Sequence, residues 1–89
     1  MKLWILRPIQ EHSSQNWSPW FDKAFGFVVR AESESEARTF ADAEGGDENG
    51  KDWAKHEVMN PWLNPATSTC IELVLEGEAG VIMKDFASA

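Results

Sequence analysis

An α+β domain is what this sequence predicts: a mainly antiparallel four-stranded sheet with one packed helix, in the order ββαββ, spanning residues 1–89 as a single domain. Three observations predict it. Two short apolar runs occupy the first third of the chain. A capped, acid-rich segment with helical spacing fills the middle. Two further apolar runs, joined by a Gly- and Glu-containing turn, close the chain.

Lys2 to Arg7 reads as the first strand, ended by Pro8. Trp4 and Leu6 fall on one face, Leu3 and Ile5 on the other. Both faces are apolar, which predicts a central strand or one covered on both sides. Ile9 to Lys23 is a loop, because its Ser, Asn and Pro residues leave no apolar period. Within it, Trp17-Ser18-Pro19-Trp20-Phe21 packs three large aromatics into a short stretch.

Ala24 to Ala31 is the second strand. Phe25, Phe27, Val29 and Ala31 alternate with Gly26, Val28 and Arg30. It is expected to pair antiparallel with the first. Ser33-Glu34-Ser35-Glu36 is a capping box: the Ser33 hydroxyl can accept from the Glu36 amide while the Glu36 side chain reaches back. Ala37, Phe40 and Ala41 follow as a narrow apolar stripe, with Phe40 the expected anchor, and Gly45-Gly46 offers a left-handed stop. The helix is therefore expected over Glu34 to Glu44.

Asp47 to Pro65 is irregular. Asp52 to Met59 can form a short helix, whereas Asn60 to Pro65 must be non-helical because each Asn precedes a proline. Thr69 to Leu75 is the third strand, with Ile71, Leu73 and Leu75 on one face, and Val81 to Phe86 is the fourth, joined to it as a hairpin. The expected core is Phe27, Val29, Phe40, Ile71 and Leu73. One helix covers only one sheet face, so the other needs a cover or serves as a binding surface.

Charge is the most informative feature for function. Residues 32–57 hold nine acids against three bases, so they carry −6 of the chain's −7. A face of this kind repels nucleic acid and attracts basic protein surfaces. The competing reading is a solvated helix and loop that serve only solubility. On the docking reading, Glu34, Asp42, Asp47, Glu48 and Asp52 meet the partner, with Trp53 as an apolar anchor beside them. Trp17, Trp20, Trp53 and Trp62 lie outside the expected strands. They either fold over the open sheet face and complete the core or form an aromatic hot spot.

Catalytic and metal-binding patterns fail on their residues. His56-Glu57-Val58-Met59-Asn60 has half of a zincin motif, with Asn where the second ligand belongs. Setting Gly50 as the invariant glycine of a calcium loop puts Gly45 and His56 at the first and last ligand positions, both wrong. Cys70, the one cysteine, could pair with His56 or His12, but near the start of an apolar strand it reads as a buried filler. No cofactor, metal or catalytic residue is expected, and the chain reads as a non-enzyme. A lone cysteine and an apolar start too short for a leader or a membrane span make the cytoplasm the expected compartment, with no membrane and no nucleic acid as direct partner.

Several phrases resemble a family of small uncharacterised proteins from bacteria and their phages. They are Lys2-Leu3-Trp4-Ile5-Leu6-Arg7-Pro8, Gly26-Phe27-Val28-Val29-Arg30-Ala31, Glu36-Ala37-Arg38, Trp62-Leu63-Asn64-Pro65 with Thr69-Cys70, and Asp85-Phe86. That resemblance brings no activity and no site residues. In size, acidity and lack of catalytic motifs the chain is also similar in kind to anti-CRISPR proteins, which implies an inhibitor that occupies a basic nucleic-acid-binding groove of a host complex such as a CRISPR effector. The alternative is a small bacterial housekeeping or regulatory domain, or an enzyme subunit, that binds a small ligand on a Trp-lined sheet face.

Overall fold

The computed structural model describes residues 1–9, 24–46 and 60–85. Over these residues the protein is α+β: a three-stranded antiparallel sheet with one helix packed on one face. Strand β1 (Lys2–Pro8) lies in the centre, between β2 (Phe27–Ala31) and β3 (Ser68–Leu73), and helix α1 (Glu34–Glu44) joins β2 towards β3. The apolar character of β1 on both faces follows from this central position. Asn60 to Pro65 is a run of turns, as the two Asn-Pro steps require.

Register decides which side chains meet α1. Leu6 stands opposite Phe27 on β2 and Cys70 on β3, and Trp4 stands opposite Val29 and Glu72. Paired residues share a face, so Trp4, Leu6, Phe27, Val29, Ala31 and Cys70 lie on the helix side. Leu6, Ala31, Ala37, Ala41 and Trp62 are fully buried there, with Trp4, Phe27, Val29 and Cys70 packed around them. Leu3, Ile5, Val28, Ile71 and Leu73 share the opposite face.

The expected core is corrected at three residues. Ile71 and Leu73 face away from the helix, because the register of β3 against β1 turns its even-numbered residues inward. One strand position separates the two faces, so a correct strand can carry its apolar set to the other side. Phe40 is also outside, 52% exposed. The inward residues of α1 are Ala37, Arg38 and Ala41. Two alanines set against the fully buried Ala31 bring helix and sheet too close together for a phenyl ring between them.

The start of α1 is as the capping box requires. The Glu36 amide donates to Ser33 Oγ at 3.2 Å, and Glu36 Oε1 accepts from the Glu32 amide at 2.7 Å. Ser33→Ala is expected to cost about 1 kcal/mol in urea denaturation. An unchanged midpoint would show that the cap contributes nothing. The end differs from expectation: Gly45 is extended (φ −70°, ψ 164°), and its amide donates to the Asp42 carbonyl at 3.2 Å. The last turn tightens to satisfy a carbonyl, and no left-handed residue is used there.

The expected fourth strand does not form over its described residues. Residues 81–85 pair with no strand, so the described order is ββαβ. Met83 and Asp85 instead line a hollow of about 330 Å³ over the open sheet face, beside Ile5, Arg7, Phe25 and Val28. Asp85 lies 3.6 Å from the Arg7 guanidinium. Covering apolar surface and meeting Arg7 draw this segment across the face and away from the edge of β3. Gly26 allows the hollow's close packing, since a Cβ there would lie 2.8 Å from Arg7 Nη1. The expected short helix at Asp52 to Met59 falls outside the described residues.

Candidate functional site: an acidic helix face

The geometry of this face begins with a base that is turned away from it. Arg38 is the only basic residue between Glu32 and Asp47, and its side chain is buried. Its Nε donates to Glu34 Oε2 at 2.9 Å, one turn earlier. Its Nη1 donates to the Trp62 carbonyl at 3.0 Å and to Ser68 Oγ at 2.8 Å, and its Nη2 to the Ser68 carbonyl at 3.1 Å. The planar guanidinium fork suits such a cluster of acceptors. Ser68 Oγ in turn donates to the Pro61 carbonyl at 2.9 Å, and Thr67 Oγ1 donates to the same carbonyl at 2.7 Å. Arg38 thus locks the helix to the turns over residues 60–68.

The outward half of α1 is left without a positive charge. Glu34, Glu36 and Glu44 are exposed on it, and Glu32 is exposed just before it. Phe40 lies one turn after Glu36 and one turn before Glu44, so an aromatic ring sits between two carboxylates on a single stripe.

The predicted partner-binding residues divide. Glu34 is on the helix surface, but one of its oxygens is held by Arg38. Asp42 is half-buried, and its Oδ1 accepts from Asn60 Nδ2 at 3.0 Å. Asn60 adopts a left-handed backbone (φ 54°) at the start of the turns. Both acids therefore help to hold the fold as well as adding charge. Asp47, Glu48, Asp52 and Trp53 lie outside the described residues. Sequence reasoning missed Phe40 and Arg38 as surface and interior respectively. The available signals were the Glu36–Phe40–Glu44 spacing and the Glu34–Arg38 spacing, each of four residues.

The tryptophans divide as well. Trp62 completes the core, but on the helix side, where its ring meets Phe27 edge-on at 4.9 Å and 83°. Trp4 is also on that side and donates from Nε1 to the Ala31 carbonyl at 3.1 Å. The open sheet face is lined by aliphatic residues, with Phe25 and Met83 at one end, and neither described tryptophan reaches it. Trp17, Trp20 and Trp53 lie outside the described residues.

Cys70 is half-buried beside the core, and burial pushes its thiol above the ordinary range. Arg38 partly opposes that shift and Glu34 adds to it. A thiol so placed stays neutral and is a poor nucleophile. His12 and His56 lie outside the described residues. Among the described residues no three His, Cys, Asp or Glu side chains gather as a metal site, and no helix is long and apolar enough to cross a membrane. Comparison with known proteins returns no match: no family model fits the chain, and no curated protein or solved structure is significantly similar to it.

Proposed function

We propose that this chain is a non-enzymatic protein-binding module that docks the acidic face of α1, and the acidic segment after it, onto a basic surface. The partner is a nucleic-acid-handling complex of a bacterial host. The chain acts as an inhibitor in the manner of anti-CRISPR proteins, with carboxylates standing where phosphates would otherwise bind. One observation carries the reading: the helix's only base is withdrawn into the core, so its outward half presents carboxylates around one exposed aromatic ring. Solubility alone would not require the aromatic ring. Phe40 supplies the apolar contact that fixes a docked partner, while Glu36, Glu44, Asp47, Glu48 and Asp52 steer its approach.

The test uses the partner recovered from a host lysate by affinity capture and identified by mass spectrometry. The triple variant Glu44→Lys, Asp47→Lys and Glu48→Lys is expected to slow association at least about tenfold at low salt, with little change in dissociation. Raising the salt is expected to narrow the gap, because exposed charges are screened. Phe40→Ala is expected to speed dissociation instead. An association rate equal to the parent's at low salt overturns the reading. Salt-insensitive binding that survives the triple variant would instead favour a small apolar ligand in the hollow bounded by Ile5, Arg7, Phe25 and Met83.

A further inference from the structure

Two arginines of this chain are drawn out of water, and only one of them is given acceptors. The Arg38 guanidinium makes four hydrogen bonds. The Arg7 side chain, on the open sheet face, is 29% exposed, and its one ion-pair partner among the described residues is Asp85. That carboxylate lies 3.6 Å away, beyond hydrogen-bonding distance, so the guanidinium makes no hydrogen bond among the described residues. Arg7 is nevertheless held in place. Its Nη1 lies over Gly26, where a Cβ would approach it to 2.8 Å, so the guanidinium rests against bare backbone. It closes one end of the hollow of about 330 Å³, whose other walls are Ile5, Phe25, Val28 and Met83. The paired strand residues that share this face include Arg7 and Arg30 and no acid. A chain of net charge −7 therefore turns an apolar face with positive charge away from α1.

We infer that this hollow binds a small organic anion, a carboxylate with an apolar body, whose carboxylate meets Arg7 while its body lies against Ile5, Phe25, Val28 and Met83. The guanidinium fork matches the two oxygens of a carboxylate. A mostly apolar hollow with one fixed charged group is the usual form of a small-ligand site. The chain itself displays the same pair of contacts. Met83 lies in the hollow, and Asp85, two residues on, turns its carboxylate towards Arg7. Asp85 is 60% exposed, and a pair so open to water yields at little cost. The ligand's carboxylate therefore competes with Asp85 for Arg7, and a cation is refused by Arg7 and Arg30 together. The site lies across the sheet from α1 and does not depend on the docking reading of that helix.

The experiment is a nuclear magnetic resonance titration of the full chain, labelled at its Ile and Met methyls, with sodium octanoate. Octan-1-ol, which lacks the charge, and sodium acetate, which lacks the apolar body, are the comparison ligands. The parent is expected to bind octanoate saturably, with shifts centred on the Ile5 and Met83 methyls. It is expected to bind octanoate at least about tenfold more tightly than either comparison ligand, the discrimination that a charge-assisted bond supplies. Arg7→Gln is expected to erase the preference for octanoate over octan-1-ol. Gly26→Ala, which pushes the guanidinium aside and keeps its charge, is expected to weaken octanoate at least about tenfold. Asp85→Asn, at an exposed position that the fold tolerates, is expected to tighten octanoate by about threefold or more, because it removes the competing carboxylate. An ion pair that served only to hold the chain would give no such gain. The inference is overturned if the parent shows no saturable shift, if octan-1-ol binds it as tightly as octanoate, or if the shifts fall on other methyls. Octanoate binding that Asp85→Asn leaves unchanged or weakens overturns it too, whatever becomes of the fold in Arg7→Gln.

Discussion

Replacing Arg38 with alanine is expected to destabilise the protein by at least about 3 kcal/mol, because three buried neutral acceptors each lose a donor at about 1–3 kcal/mol. Three of the four hydrogen bonds from its guanidinium end on Trp62 and Ser68. Both of those residues are fully buried, so solvent does not replace the lost donors. Glu34, by contrast, is half-exposed and can return to water, so the loss is dominated by the carbonyls and the hydroxyl, and Glu34→Gln should cost far less. Arg38→Lys is expected to recover only part of the stability, because an ammonium cannot reach Glu34, Trp62 and Ser68 with one fork. Urea denaturation of the three variants checks the ordering. An Arg38→Ala midpoint within error of the parent's would mean that the buried network is not what ties α1 to residues 60–68.

Truncating Trp62 to alanine is the second large effect, at about 3–5 kcal/mol. Trp62 is the largest fully buried side chain among the described residues, and it meets Phe27 edge-on. Its loss opens a cavity between α1, β2 and the turns over residues 60–68. Phe40→Ala is the matching control. Half of that ring is already in water, so the variant should lose less than about 1 kcal/mol. Domains of this size hold only about 5–15 kcal/mol in reserve. Trp62→Ala should therefore lower the thermal midpoint sharply, and Phe40→Ala should barely move it. Equal losses from the two would mean that the helix is rotated from the orientation described here.

The legible parts of the fold were those set by local chemistry. Ser33 and Glu36 cap the helix through atoms a few residues apart, so their pattern identified the start of α1. The two apolar faces of the first strand pointed to a central strand or to one covered on both sides, and Lys2–Pro8 is central. What could not be read depended on distant partners. The alternation of Ile71 and Leu73 showed a strand with one apolar side. Only its register against Leu3 and Ile5 decided that this side faces away from the helix. Phe40 looked like the anchor because it is the largest apolar residue of its helix. Its exposure follows from the burial of Ala31 beside the alanines of α1 and from the Trp62 and Ser68 carbonyls, which draw Arg38 inward instead. For the candidate site, the acidity of residues 32–57 was plain from the sequence. That its one helical base would be hidden was not, because burying an arginine depends on acceptors 24 and 30 residues further along the chain.

The placement of β1 has a consequence for how the chain folds. The strand that holds the sheet together is completed last: Leu3 waits for Leu73, and Leu6 for Cys70. β2 and α1 can gather on one flank of β1 as soon as they leave the ribosome, but the other flank stays an open ladder until about seventy residues have been made. Closing contacts that far apart in sequence is slow. Over that interval a strand apolar on both faces is also an exposed template for wrong pairing. The edge that α+β proteins usually guard at the periphery is here, for a time, in the middle.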